Sequence, residues 1–137
     1  MDPASARALF ATARVARLAT VGGDGRPHLV PIVFALDGDL LHSAVDHKPK
    51  RTQQLRRLDN VAANPRVCVL ADLYDEEWTR LWWARGDGVA RVVESGAQEH
   101  ARAVKLLVER YAQYAGQPPS GPAIVIDVER WSGWSGA

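Results

Sequence analysis

The densest run of chemistry-bearing side chains is the loop Asp46-His47-Lys48-Pro49-Lys50-Arg51, followed directly by the hydroxyl of Thr52. Three cations at positions 48, 50 and 51 stand beside the first amides of a helix expected over 52–58. With the hydroxyl, they form a donor set suited to a phosphate dianion. Pro49 stiffens the loop between the two lysines. The chain has 14 Arg and three Lys, a bias typical of a GC-rich genome, so two lysines in one loop stand out. A solvated charged loop is the competing reading, and spacing alone leaves both open.

Five tryptophans, Trp78, Trp82, Trp83, Trp131 and Trp134, are many for so short a chain. Successive strand residues point to opposite faces, so Trp82 and Trp83 cannot share one core. One of them is expected to face a pocket or a subunit interface, where an indole can cover a flat heteroaromatic ring. Core and interface packing accounts for any single one equally well. Other chemistries lack their signatures. His28, His42, His47 and His100 have no metal-ligand spacing. His42 and Ser43 diverge as strand neighbours, and no Asp evidently completes a triad with them. The single cysteine, Cys68, lies in an apolar run, reads as core, and allows neither an intrachain disulfide nor a Cys-rich zinc site. No Gly-x-Gly-x-x-Gly links a strand to a helix, so a Rossmann nicotinamide site is not supported.

These residues need a scaffold, and 137 residues with 47% apolar content suffice for a single domain spanning 1–137 with one core. A net charge of +1 gives no reason to expect nucleic acid as a partner. No leader pattern and no membrane-spanning run are evident, so a cytoplasmic protein without a membrane partner is expected. Asp2-Pro3 starts a short helix with Leu9, Phe10 and Ala13 on one face. Strands are expected over 15–21, 28–36 and 40–45, joined by the turns Gly22-Gly23-Asp24-Gly25 and Asp37-Gly38-Asp39 as a meander. Pro31 marks an edge or bulge in the second. Asn64-Pro65 ends the helix after the basic loop, and 66–71 reads as a buried strand. Residues 72–78 form an acidic connection. Residues 79–93 read as a hairpin folded at 85–88 or as one long bent strand. Ser95 and Gln98 have capping-box spacing ahead of a helix. Ala97, Ala101, Val104, Val108, Tyr111 and Ala115 form its apolar stripe, and Gly116 and Pro118-Pro119 end it. A last strand is expected over 122–131. Runs of strands without strict β-α alternation indicate a barrel-like antiparallel fold.

Several segments taken in order resemble a known family. Val15-Ala-Arg-Leu-Ala-Thr-Val, Asp24-Gly-Arg-Pro-His28, Val30-Pro-Ile-Val-Phe34, Leu41-His-Ser-Ala-Val45 with Lys48, Lys50 and Arg51, and Asn64-Pro-Arg-Val67 are similar to the pyridoxamine 5′-phosphate oxidase-like FMN-binding split-barrel proteins. The likeness runs from about residue 6 to residue 134. Arg80-Leu-Trp-Trp-Ala-Arg85 and Trp131-Ser-Gly-Trp134 are most similar to short actinobacterial members thought to use coenzyme F420, a deazaflavin. True pyridoxamine phosphate oxidases carry a C-terminal Arg-rich substrate segment that this sequence does not show.

The resemblance implies a mainly β (α+β) fold, a six-stranded antiparallel split β-barrel of Greek-key type with flanking helices, assembled as a homodimer with two sites at the interface. It implies an oxidoreductase that transfers a hydride between coenzyme F420 and a small organic acceptor. The alternatives are an FMN-dependent enzyme of the same fold and a non-catalytic cofactor carrier. Pro31, Ile32 and Val33 would lie against the cofactor ring through their backbone, and His42, Ser43 and Val45 would line the ring and ribityl region. Lys48, Lys50, Arg51 and Thr52 would hold the phosphate, while Arg80 and Trp82 or Trp83 would come from the partner subunit. No side chain is assigned as catalytic. His28 and His42 are the proton donors nearest the expected site that titrate near neutral pH. Arg56, Arg57 and Arg80 are available for the deazaflavin's acidic tail.

Overall fold

The computed structural model describes residues 1–45 and 51–137, with the backbone alone over 51–55. The elements are α1 (Pro3–Thr12), β1 (Ala16–Val21), β2 (Pro27–Ile32), β3 (Ala35–Asp37), β4 (Leu40–Ala44), α2 (Arg51–Ala63), β5 (Arg66–Leu73), β6 (Trp82–Val93), α3 (Gln98–Arg110), α4 (Ala112–Gly116) and β7 (Ala123–Ser135). A 3₁₀ turn at Trp78–Arg80 precedes β6. Among the described residues, seven strands form one antiparallel sheet in the order β2-β1-β5-β6-β7-β4-β3.

The expected second strand, 28–36, is two strands. Its first part pairs with β1 and its second with β4, and they occupy opposite edges of the sheet. The meander is therefore two separate hairpins, and the strand count rises from six to seven. The consequence is geometric. Flat, seven strands at ~4.8 Å spacing would set the two edges roughly 30 Å apart. Ile32 and Ala35 are three residues apart, so their Cα atoms lie within about 11 Å. The sheet has to curl until its edges meet, which makes the barrel.

Local chemistry fixes most elements. Asp2 caps α1 by accepting from the Ser5 amide at 2.7 Å. Gly25 and Gly38, at φ of 81° and 62°, supply the left-handed residues of the two hairpin turns. The core holds Phe10 between Phe34 and Trp131, with ring centroids 4.8 and 5.1 Å away. Residues 82–93 are one strand, so the bent-strand alternative holds there, and its irregularity falls at Asp87/Gly88.

Three further expectations change. The Ser95 hydroxyl donates to the Ser120 carbonyl at 2.7 Å, and α3 starts from Ala97 with no side-chain cap, so there is no capping box. The buried face of α3 is His100, Ala103 and Leu107, whereas Ala97, Ala101 and Ala115 are exposed. Alanine tolerates either environment, so it misplaces the stripe. Cys68 is half-buried on the outer face of β5, because Val67, Val69 and Ala71 are the residues that point inward. Among the described residues, no helix is long and apolar enough to cross a membrane.

Candidate functional site

The turning point of the barrel is the pair Val33-Phe34 between β2 and β3. Backbone groups leaving a sheet need new partners, and here side chains supply them. The Ser43 hydroxyl, on β4, donates to the Val33 carbonyl at 2.9 Å. The Phe34 amide donates to the Tyr111 hydroxyl at 3.1 Å, and that hydroxyl lies 2.9 Å from the Phe34 carbonyl and 3.0 Å from the Arg14 carbonyl. One phenolic proton serves both carbonyls. The Arg110 guanidinium donates to the same oxygen at 3.2 Å, stacks 4.7 Å over the Phe34 ring and donates to the carbonyls of Ala11 and Ala13. Arg14 closes the cluster, lying 4.6 Å over the Tyr111 ring and donating to the Arg110 carbonyl at 2.8 Å.

A cluster of basic side chains lies farther back along β2. His28, Val30 and Ile32 alternate inward, while Pro27, Leu29 and Pro31 face out. Asn60 of α2 donates to the Thr20 hydroxyl at 3.0 Å, and Thr20 pairs with His28 across the β1–β2 ladder, which brings α2 over this end of the barrel. Arg57 lies one turn before Asn60 on α2. Nδ1 of His28 and Nε of Arg57 are both buried with no hydrogen-bond partner among the described residues. Burial, reinforced by the neighbouring Arg56 and Arg57 charges, holds the His28 pKa below its ordinary value, so the ring is neutral at pH 7. Burial also lowers the Arg57 pKa, though an arginine remains charged at that pH. Two orphaned polar nitrogens beside two positive charges suit an anionic group.

The sequence-designated residues divide. Ile32 is buried, Pro31 is exposed opposite Arg17, and Val33 is half-buried beside Ser43. Val45 is buried just beyond β4, its amide donating to the Pro122 carbonyl at 2.9 Å. His42 points the other way from Ser43, into the layer between β4 and α3, opposite Ala35 and Val125. Lys48 and Lys50 lie outside the described residues; Arg51 and Thr52 open α2. Arg80 is exposed and paired with Asp75 at 3.8 Å. Trp82 packs against the core while Trp83 lies on the outer face, with Arg85 5.7 Å over its ring. Trp83 pairs with Trp134 on β7 while Ser43 pairs with Ile124, ten residues earlier on the same strand, so within this chain Arg80 and Trp83 do not join the Val33–Ser43 region. Tyr111 escaped sequence reasoning because its spacing placed it on an apolar stripe, where only the phenolic oxygen is out of character.

The outer face of β2, β1, β5 and β6 presents Leu29, Leu70 and Trp83, with Trp134 of β7 beside Trp83. Ion pairs Arg17–Asp72 and Arg85–Asp87, at 3.5 and 3.2 Å, cross it. A groove of about 460 Å³ runs along it between Ala19, Cys68, Asp87, Gly88 and Arg130. Burial, then the Asp87 charge, raises the Cys68 pKa, which disfavours the nucleophilic thiolate.

An antiparallel sheet curled so that its edges meet at residues 33–34, with helices packed on it, defines a split β-barrel. Residues 3–135 match the family model described as pyridoxamine 5′-phosphate oxidase, and the chain belongs to that family. Solved structures with the same fold include a conserved hypothetical protein from Mycobacterium tuberculosis, at 23% identity and TM-score 0.77, covering 99% of this chain and 86% of that one. An FAD-binding protein from Mesorhizobium loti aligns at 19% identity and TM-score 0.74, over 97% and 94% of the two chains. The haem storage protein HutZ from Vibrio cholerae aligns at 18% identity and TM-score 0.71, over 98% and 95%. A search of curated protein sequences finds no match.

Proposed function

We propose that this chain is a cytoplasmic oxidoreductase subunit that binds a ribityl-phosphate cofactor, coenzyme F420, and serves hydride transfer to a small organic acceptor. The observation that carries the reading is the pair of orphaned buried nitrogens, His28 Nδ1 and Arg57 Nε, beside β2. His28 lies three residues before Pro31 on that strand, about 10 Å along it. That separation is comparable to an extended ribityl phosphate between a ring at residues 31–33 and an anion held by Arg57, Lys48, Lys50, Arg51 and Thr52.

The cofactor, when bound, supplies the hydride chemistry. The chain's own residues bind, orient and shield it. Backbone groups of Pro31, Ile32 and Val33 meet the ring's polar edge, and Ser43 holds the Val33 carbonyl. The neutral His28 ring donates one hydrogen bond without adding charge, so the positive field comes from Arg56 and Arg57. Trp83 and Arg80 reach the ring from a second subunit docked on the outer sheet face. The choice of deazaflavin rests on the likeness of 80–85 and 131–134 to the actinobacterial F420 branch. FMN is the alternative, favoured by the FAD-binding neighbour of the same fold.

Fluorescence titration of cofactor-free protein with coenzyme F420 and with FMN tests this reading. Saturable binding is expected, tighter for the deazaflavin. Lys48→Ala and Lys50→Ala should each weaken it by ~1.5–3 kcal/mol, the cost of a lost charged hydrogen bond. Binding of neither cofactor would sink the reading, and unchanged affinity in both variants would return the two lysines to a solvated loop.

A further inference from the structure

We infer that Tyr111 is the positioning residue of the cofactor site, acting through the backbone of Val33 and Phe34. This inference rests on the reading that residues 31–33 meet the cofactor ring. The chain leaves one sheet edge at Ile32 and joins the other at Ala35, so residues 33 and 34 are outside both ladders. Their orientation is not set by sheet pairing. Ser43 fixes one group, the Val33 carbonyl. The Tyr111 hydroxyl fixes two, the Phe34 amide at 3.1 Å and the Phe34 carbonyl at 2.9 Å. Holding both groups of one residue restrains the peptide planes on either side of it, and the first of those planes contains the Val33 carbonyl.

The phenol is itself held rigidly. It ends α3, receives a bond from Arg110 at 3.2 Å, lies under Arg14 and reaches the Arg14 carbonyl at 3.0 Å. Arg110 also holds the carbonyls of Ala11 and Ala13 at the end of α1. Ends of α1 and α3 therefore converge on one oxygen, which transmits their position to the break. With the hydroxyl absent, Val33 can rotate its carbonyl away from Ser43, and the backbone edge offered to the ring loses its fixed direction.

Tyr111→Phe keeps the ring, its packing and its cation contact, and removes only the hydroxyl. Measured with FMN and with coenzyme F420, it should raise Kd by about tenfold and shift the visible absorption of the bound ring. Amide exchange at Phe34 should accelerate. Asp2→Ala is the control. It removes the α1 cap, the Asp2 carboxylate accepting from the Ser5 amide at 2.7 Å, at the end of α1 opposite the Arg110 contacts. It should lower thermal stability while leaving the bound spectrum unchanged. A Tyr111→Phe protein with wild-type affinity and spectrum overturns the assignment, even if its stability falls. A wild-type protein that binds neither cofactor overturns the functional reading and the assignment together.

Discussion

His42 carries a cost that the fold accepts, because neither ring nitrogen has a partner among the described residues although the residue is 1% exposed. Around it lie two acid–base pairs, Arg102–Asp37 at 2.9 Å and Arg91–Glu99. Burial dominates these charges and holds the imidazole pKa below its ordinary 6.5. The unfolded chain takes up this proton near pH 6.5 while the folded chain refuses it, so stability is lost as pH falls below that value. His28 acts in the same direction. Each histidine adds at most about 1.4 kcal/mol per pH unit while its two states differ in protonation. Urea midpoints between pH 7.5 and about 5.5 should therefore fall in the wild type. They should fall less in His42→Leu, and equal slopes would remove His42 as a source. At this scale the sequence was partly legible. Alternation in the strand separates Ser43 from His42, but nothing local shows that α3 lies over the imidazole.

At the scale of elements, β6 makes the point about glycine. Gly86 and Gly88 mark a turn in many sequences, yet here they allow close approach. A Cβ on Gly86 would sit 3.0 Å from Val128 and 3.1 Å from Trp131. One on Gly88 would run into the Asp127 carbonyl oxygen and come within 3.0 Å of the Val128 Cα. Between them the register with β7 shifts: Asp87 pairs with Arg130 and Gly88 with Val128, leaving Glu129 as the extra residue of the bulge. Gly88→Ala should therefore destabilise the protein by about 3 kcal/mol or more, because the obstacle is backbone with no freedom to move. Chemical denaturation measures it, and a loss under about 0.5 kcal/mol would show the strand can slip. Hairpin turns at 22–25 and 37–39 were legible because their demands are local. The break at 33–34 was not. The bonds that stabilise it come from Ser43 and Tyr111, 10 and 77 residues away, and no glycine or proline occupies it.

For the whole molecule, the open question is what covers the outer face. Leu29 is 67% exposed, Leu70 37% and Trp134 47%, on a sheet face that carries ion pairs only at intervals. A second copy with the same mixed face would bury them. Sedimentation should give twice the 15.0 kDa chain mass. Leu70→Lys should shift the protein toward monomer and weaken cofactor binding together, because Arg80 and Trp83 are proposed to come from the partner. A monomer that binds cofactor fully would confine the site to one chain. The barrel itself was legible from strand runs and turn spacing, whereas an interface leaves no periodicity in a sequence.

Strand β7 lies between β6 and β4 in the sheet although it is the last strand in sequence. Remove it in thought, and β2-β1-β5-β6 and β4-β3 are separate sheets, joined at the break only through residues 33 and 34. As the chain leaves the ribosome, both hairpins and the β5–β6 ladder can form early, from contacts close in sequence. Closure waits for residues 123–135. Until that strand arrives, the peptide proposed to face the cofactor has its ties to Ser43 and Tyr111 but no continuous sheet around it. The proposed binding surface is thus written at residues 31–33 but waits for residues 123–135 before its sheet can close.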